Sequence, residues 1–567
     1  MHELDNPHCA GMTDRTMARF SSSPKVEFVK RLFGEAVRHH RAGQLDQAET
    51  CYQKVLAEHH SHADALHLLG VIAYQRAHYD RALSLVTQAI HHHATRPLYF
   101  YHQGLAYQAL HQWSEAERAY RHVLSLKPDD IDALGNLGNV LRAQGALEAA
   151  QSAYERVVTL KPDHAEGYNN VGVVLKERGK VEAAETAWQR ALALKPDNAE
   201  AHCNLGMLLF EREHIEEAVE RFQTAVSVKP HYAKAWHGLG LARLWKRDLD
   251  GALQAFRASA NLTHNHGRAV RIAALHASRI QHDAEQIRYL VERGVFRHAD
   301  PHYEATLHAL RQKIARSEGV NPRIPLSQEE ASALAPSLSH ILHYADNPAL
   351  PQGALNPELD REACERRYQT SRPEMIVVDA FLRPEAIAAL RRFCQESTIW
   401  KKDYDDGYIG AFLGEGFSSP LVLQVAEELR VTFPGIFRRH RLLHAWAFKQ
   451  DSTRRPLKIH ADAAAVNVNF WITAADANVD PACGGLIVWD KEAPKGWDFT
   501  VYNSTAFQPK IMDFLKQHGA TAEKVPYREN RAVIFNSDLF HESDTCMFRD
   551  DYESRRINIT FLYGRRQ

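Results

Sequence analysis

The chain has 567 residues, too long for one compact core at roughly 100–200 residues per domain. Hydrophobic residues make up 45% and charged residues 25%, a composition that excludes long disorder and fibrous repeats. Lys and Arg (69) balance Asp and Glu (70) to a formal charge of −1, so no overall field argues for nucleic acid or an anionic membrane, and no nucleic-acid partner is expected.

Residues 1–28 read as an N-terminal tail. Beyond them a 34-residue period governs the chain: Gly70, Gly104, Gly138, Gly172, Gly206 and Gly240 are equally spaced, with Ala36 in the glycine column of a weaker first repeat. Alanines keep the same frame from Ala48 to Ala252, aromatics recur at Tyr120, Tyr154, Trp188, Phe222 and Phe256, and prolines at Pro128, Pro162, Pro196 and Pro230. Small residues where two helices approach, an aromatic filling the gap and a proline ending the second helix describe one helical hairpin per repeat. The columns resemble the tetratricopeptide repeat, with seven repeats over 29–264. That resemblance implies an all-α superhelix whose groove holds a protein or peptide partner. Asn136, Asn170 and Asn204, again 34 apart, form a candidate ladder of amides for a peptide backbone; the alternative is that they satisfy neighbouring helix ends. Many of the 34 histidines fall in this half, and His39, His40, His59, His60, His91, His92 and His93 are expected at the surface.

Residues 265–318 keep helical apolar spacing without the columns and read as a helical cap; 319–373, richer in proline, reads as a linker with short helices. From 374 to 567 the period changes. MIVVDAFL reads as a strand, a helix opens at Pro384, and AVNVNFWIT, GGLIVWD, RAVIFN and RINITFLYG are short β-branched and aromatic runs. The 404–416 stretch reads as a lid or edge segment, and the basic run 438–444 as a solvated turn.

The chemistry candidate is His460-Ala461-Asp462. Residues i and i+2 of a strand point to one face, so an imidazole and a carboxylate reach one ion, and His541, directly after RAVIFN, completes a set of two histidines and one carboxylate. The chain's other His-x-Asp triplets, His62/Asp64, His78/Asp80 and His298/Asp300, lie in its helical half. Fifteen residues past His541, period-two alternation puts Arg556, Asn558 and Thr560 on one strand face, where a buried guanidinium needs an anion; Arg555 is the alternative.

This set is similar to the Fe(II)- and 2-oxoglutarate-dependent oxygenases, closest to their prolyl-hydroxylase-like branch. The resemblance implies a C-terminal α+β domain with a double-stranded β-helix (jelly-roll) core. In it His460, Asp462 and His541 hold Fe(II), and Arg556 pairs with the far carboxylate of 2-oxoglutarate, with Asn558 sharing that role. O2 is the co-reactant, and a substrate C–H bond is hydroxylated as 2-oxoglutarate becomes succinate. Asn467 and Asn469 are further candidates for cosubstrate or substrate hydrogen bonds, or else satisfied strand amides. Asp462 argues against halogenation and against the aspartyl/asparaginyl type, whose iron set lacks the carboxylate. The expected function is a dioxygenase acting on a protein or peptide recruited by the repeats; the alternative is a non-catalytic interaction scaffold with a degenerate oxygenase domain.

Seven scattered cysteines without a C-x-x-C pair speak against a disulfide framework or a thiolate zinc site, and no apolar run is long enough to span a bilayer. A cytoplasmic location is expected.

Overall fold

The computed structural model describes residues 24–264, 272–297, 300–319, 321–437, 439–450, 458–497 and 502–565. Most of the expected tail, 1–23, lies outside them, and the first helix already begins at Pro24.

The 34-residue columns become helix pairs. In order these are α1 (Pro24–Arg41), α2 (Leu45–Glu58), α3 (Ala63–Gln75), α4 (Tyr79–His92), α5 (Pro97–Ala109), α6 (Trp113–Leu126), α7 (Ile131–Ala143), α8 (Leu147–Leu160), α9 (Ala165–Glu177), α10 (Val181–Leu194), α11 (Ala199–Glu211), α12 (Ile215–Val228), α13 (Ala233–Trp245) and α14 (Leu249–His264). The glycine and aromatic columns explain each other. A Cβ at Gly172 would stand 2.4 Å from Trp188 Nε1, and one at Gly138 would stand 2.5 Å from the Tyr154 ring. From the third repeat to the seventh the aromatic of the second helix thus lies on bare backbone of the first, a contact that any side chain would push apart; in the second repeat Val86 takes the aromatic's place against Gly70. His62 and Asp300 of the spare His-x-Asp triplets serve as helix N-caps; His298 lies outside the described residues. His40 departs from expectation: it is buried, 3.4 Å from the Tyr52 hydroxyl.

Contacts divide the chain into two compact units, through Asn204 and from Leu205 onward, so the division falls inside α11 rather than at residue 264. In the second unit, residues 274–276, expected as helix, form a strand, β1 (Ala274–His276), paired with β2 (Arg323–Pro325) from the expected linker. The cap supplies α15 (Ala277–Glu292) and α16 (Pro301–Ala315), and the linker supplies α17 (Gln328–Ser339) and α18 (Arg361–Thr370). The linker is laid down on the domain that follows, through Ala345 N–Ser397 Oγ (3.0 Å), Asn347–Ser419 (2.8 Å) and Leu350 N–Gln424 (2.7 Å).

The remaining elements are β3 (Met375–Val378), α19 (Pro384–Glu396), β4 (Lys402–Asp403), β5 (Tyr408–Phe412), α20 (Pro420–Thr432), α21 (Pro434–Phe437), β6 (Leu442–Gln450), β7 (Val466–Trp471), β8 (Leu486–Glu492), α22 (Gln508–Gln517), β9 (Ala522–Val525), β10 (Ala532–Asn536), β11 (Leu539–Ser543) and β12 (Arg556–Tyr563). They form a seven-stranded sheet, β3-β10-β7-β12-β6-β5-β4, and a three-stranded sheet, β11-β8-β9, with antiparallel pairings throughout. A core of Trp471, Val533 and Phe535 from the larger sheet with Leu486, Val488, Val525 and Leu539 from the smaller fills the space between them. Within the 404–416 stretch Tyr408–Phe412 is β5, next to the edge strand β4, which fits the edge alternative. Of the basic run, Arg438 lies outside the described residues; Arg441 is buried, not solvated, paired with Glu213 (2.7 Å) and lying over Phe210 and Trp245. Among the described residues no helix is long and apolar enough to cross a membrane, and the described cysteines are free thiols.

Candidate metal centre

Strand register decides which side chains meet. Directly opposed residues of an antiparallel pair share a face. Asn558 stands opposite Trp471 and Phe448, Thr560 opposite Asn469 and Trp446, and Arg556 opposite Gln450. With the strand alternation, Arg556, Asn558, Thr560, Asn467, Asn469 and Trp471 therefore lie on one face of the large sheet. Arg555 takes the other face and binds Glu285 at 2.7 Å, which removes it as the alternative anion partner.

The ion-binding candidates converge at one end of that face. His460 and His541 form a two-bond backbone bridge (2.9 and 2.8 Å) that sets their rings 4.3 Å apart, and Asp462 N donates to Ser537 O. One ligand atom each from His460, Asp462 and His541 lies within 4.8 Å of the others, and His541 Nε2 is 3.4 Å from Asp462 Oδ2. His460 Nδ1 donates to Lys458 O (2.8 Å) and His541 Nδ1 to Leu539 O (2.9 Å). Because carbonyls only accept, both Nδ1 atoms carry protons, and both Nε2 lone pairs are left for an ion. Asn467 Nδ2 donates to Asp462 Oδ2 at 2.7 Å. Burial, reinforced by His541, pushes the His460 imidazole down to about 4. Burial alone would raise the Asp462 carboxyl, but His541, His460 and Asn467 outweigh it and hold the group below its usual range.

At the other end Arg556 is 1% exposed. Its guanidinium donates to Gly484 O (2.7 Å), Gly485 O (3.2 Å), Gln450 Oε1 (2.6 Å) and Asn558 Oδ1 (3.4 Å), all neutral acceptors. A buried charge with neutral partners alone is costly and calls for an anion. Gly485 has no room for a side chain, since a Cβ would stand 1.8 Å from Val525 O. Between Arg556 and the triad, three buried polar atoms of β7 have no hydrogen-bond partner among the described residues: Asn467 Oδ1, Asn469 Oδ1 and Trp471 Nε1. Orphaned buried groups in a row mark a place for a polar guest. Asn469 Nδ2 itself donates to Thr560 Oγ1 (3.1 Å).

His444, read as part of a turn, lies on β6, and Trp471 and Gln450 escaped the sequence reading. Trp471 was within reach of it, two residues past Asn469 in the same alternation; Gln450 and His444 become visible only through the β6–β12 register. His444 also borders a cavity of about 320 Å³ lined by Lys234, His237, Ser259, Phe412 and Glu415, where α13 and α14 meet the sheet.

The amide ladder is only partly open. Asn136 donates to the Tyr101 hydroxyl (3.0 Å), Asn170 accepts a long bond from Asn169 (3.5 Å), and Asn204 is buried and donates to Asn169 Oδ1 (3.0 Å). Asn136 and Asn204 thus bond side chains of other helices, and Asn170 its neighbour on α9.

A family model described as the cilia and flagella-associated protein 70 C-terminal domain matches residues 21–231, and a tetratricopeptide repeat model matches 203–263. Similar solved structures include a tetratricopeptide repeat protein from Parabacteroides merdae, 16% identical over 42% of this chain and 95% of that one, with a TM-score of 0.39. MamA is 28% identical over 28% and 93%, with a TM-score of 0.25. YrrB, described as a TPR protein with an unusual peptide-binding site, is 20% identical over 32% and 93%, with a TM-score of 0.25. No curated protein matches the chain.

Proposed function

We propose that this tetratricopeptide repeat chain is an Fe(II)- and 2-oxoglutarate-dependent dioxygenase that hydroxylates a side chain of a protein or peptide recruited by its repeats. The observation that carries the reading is the meeting of His460, Asp462 and His541 beside Asn467, on whose sheet face Arg556 is buried among acceptors that, among the described residues, are all neutral. Two facing antiparallel sheets, extended by the His460–His541 bridge, support the double-stranded β-helix reading.

When bound, Fe(II) and 2-oxoglutarate supply the oxidising chemistry, O2 being reduced as 2-oxoglutarate is decarboxylated to succinate. The chain's own residues do the rest. His460 Nε2, His541 Nε2 and an Asp462 oxygen are an N2O donor set suited to Fe(II), leaving further positions open. Lys458 O and Leu539 O fix the imidazole tautomers, and Asn467 fixes the carboxylate. Arg556 and the Trp471 indole N–H offer the remote carboxylate its cation and a donor. The cavity beside His444 gives a recruited segment room next to the site.

One observation favours the second reading, an interaction scaffold without catalysis: both family models stop by residue 263 and describe the repeats alone. Succinate release from 2-oxoglutarate by Fe(II)-loaded protein in air separates the two. The oxygenase reading expects turnover that His460→Ala and Arg556→Ala both abolish. Wild-type protein that neither binds iron nor releases succinate establishes the scaffold.

A further inference from the structure

The first hairpin carries a second group of ligand-type side chains. Glu35 and His39 are four residues apart on α1 and share a face. Buried Cys51 on α2 faces them, and one ligand atom from each of the three lies within 4.8 Å of the other two. His39 Nε2 is 3.8 Å from Glu35 Oε1, a small side-chain rotation away from the roughly 3.3 Å that separates two donors each about 2.0 Å from a tetrahedral ion. His39 Nδ1 donates to Gln44 Oε1 at 2.6 Å, which leaves Nε2 with its lone pair toward Glu35.

The repeat frame sets these three residues apart. The same three columns hold Leu69, Ala73 and Leu85 in the second repeat and Leu137, Leu141 and Ala153 in the fourth. In none of the other six repeats does any of these columns hold His, Cys, Asp or Glu. These columns are otherwise mostly apolar, with Gln103, Tyr107, Arg221 and Arg243 as exceptions; the first repeat alone places a carboxylate, an imidazole and a thiol in them, and the fold brings all three together.

We infer that Glu35, His39 and Cys51 form a divalent transition-metal site, for which Zn2+ is the fitting ion. A thiolate, an imidazole and a carboxylate are all zinc donors, and three protein ligands leave a fourth position for water or an exogenous group. Binding releases the Cys51 thiol proton to solvent and ties α1 to α2. The set lacks a C-x-x-C signature because its ligands are spaced by a helical turn and a hairpin. The site is independent of the oxygenase reading.

Full-length protein carrying His460→Ala, which removes the other metal centre, is titrated with Co(II). Only a thiolate ligand gives sulfur-to-cobalt charge-transfer absorption in the near-ultraviolet, and the His460/Asp462/His541 set contains no sulfur. The expected result is one equivalent of cobalt with that absorption, displaced by zinc and lost on adding Cys51→Ser. Gln44→Ala, which frees the His39 tautomer, weakens binding roughly ten- to a hundredfold while leaving the helical circular dichroism unchanged. Absence of the absorption in natively helical protein, or its survival in Cys51→Ser, overturns the site.

Discussion

Arg555 and Arg556 are sequence neighbours with opposite fates: one is paired with Glu285 on the outer face, the other is buried on the inner face among neutral acceptors. Replacing Arg556 by Lys keeps the charge but loses the planar fork, so 2-oxoglutarate binding is expected to weaken roughly ten- to a hundredfold, the scale of a charged hydrogen bond worth about 1.5–3 kcal/mol. Iron content stays unchanged. Calorimetric titration checks this, and equal cosubstrate affinity would remove Arg556 from the site. Asn467→Ala frees the Asp462 carboxylate from its 2.7 Å bond and is expected to lower iron affinity by about 10–100-fold, read by competition with a chelator. At this scale the sequence was informative where chemistry follows short spacing, as for His460, Asp462 and the alternation around Arg556. It was silent on Gln450 and on the burial of His40, which depend on partners 106 and 12 residues away.

Among elements, the repeat helices were the most legible, because five of the seven hairpins restate the same glycine–aromatic contact. Gly172→Ala must displace the buried Trp188 ring and is expected to cost about 1–3 kcal/mol. Gly135→Ala, inside α7 with nothing within 4 Å of the added carbon, is expected to add about 0.5–1 kcal/mol. Urea unfolding of both variants checks the pair, and similar shifts would refute the close-approach argument. β1 was misread as helix because its partner β2 lies some fifty residues downstream, beyond any local periodicity. β6 carries a further test on its outer face. Lys449 is buried over Trp400 (4.8 Å) and Tyr552 (4.1 Å) and beside His282, with Cys394, Glu285, Asp283 and Arg555 around it; burial pushes its ammonium down to about 7. In the unfolded chain a lysine keeps its proton to about 10.4, so between those values the unfolded state binds more protons and stability rises with pH. Lys449→Met is expected to reduce that rise in thermal midpoint. It will not abolish it, because buried Lys401 is likewise pushed down to about 7. An unchanged slope would contradict the burial of a titrating Lys449.

At the scale of the molecule, the sequence boundary at residue 374 follows the change of period, whereas the structural division falls inside α11. The reason is physical. Arg441 lies over Phe210 and Trp245, Arg430 lies over Trp245, Gln286 binds the Gln395 and Ser397 carbonyls, and His276 binds Asp403, so α11, α13 and α15 cover surfaces of the sheet domain. A fragment from Ala199 to the C-terminus is therefore expected to be soluble and to bind iron, while one from residue 374 aggregates. Equal solubility and thermal midpoint for the two would contradict this. The central claim is tested most directly by adding 2-oxoglutarate to the Fe(II)-loaded protein without oxygen and recording the visible iron-to-cosubstrate charge-transfer absorption together with iron stoichiometry. The account predicts one iron at the His460/Asp462/His541 centre with the absorption present, the iron lost in His460→Ala, and the iron kept without absorption in Arg556→Ala. Iron bound equally by wild type and His460→Ala, with no absorption in either, would contradict it.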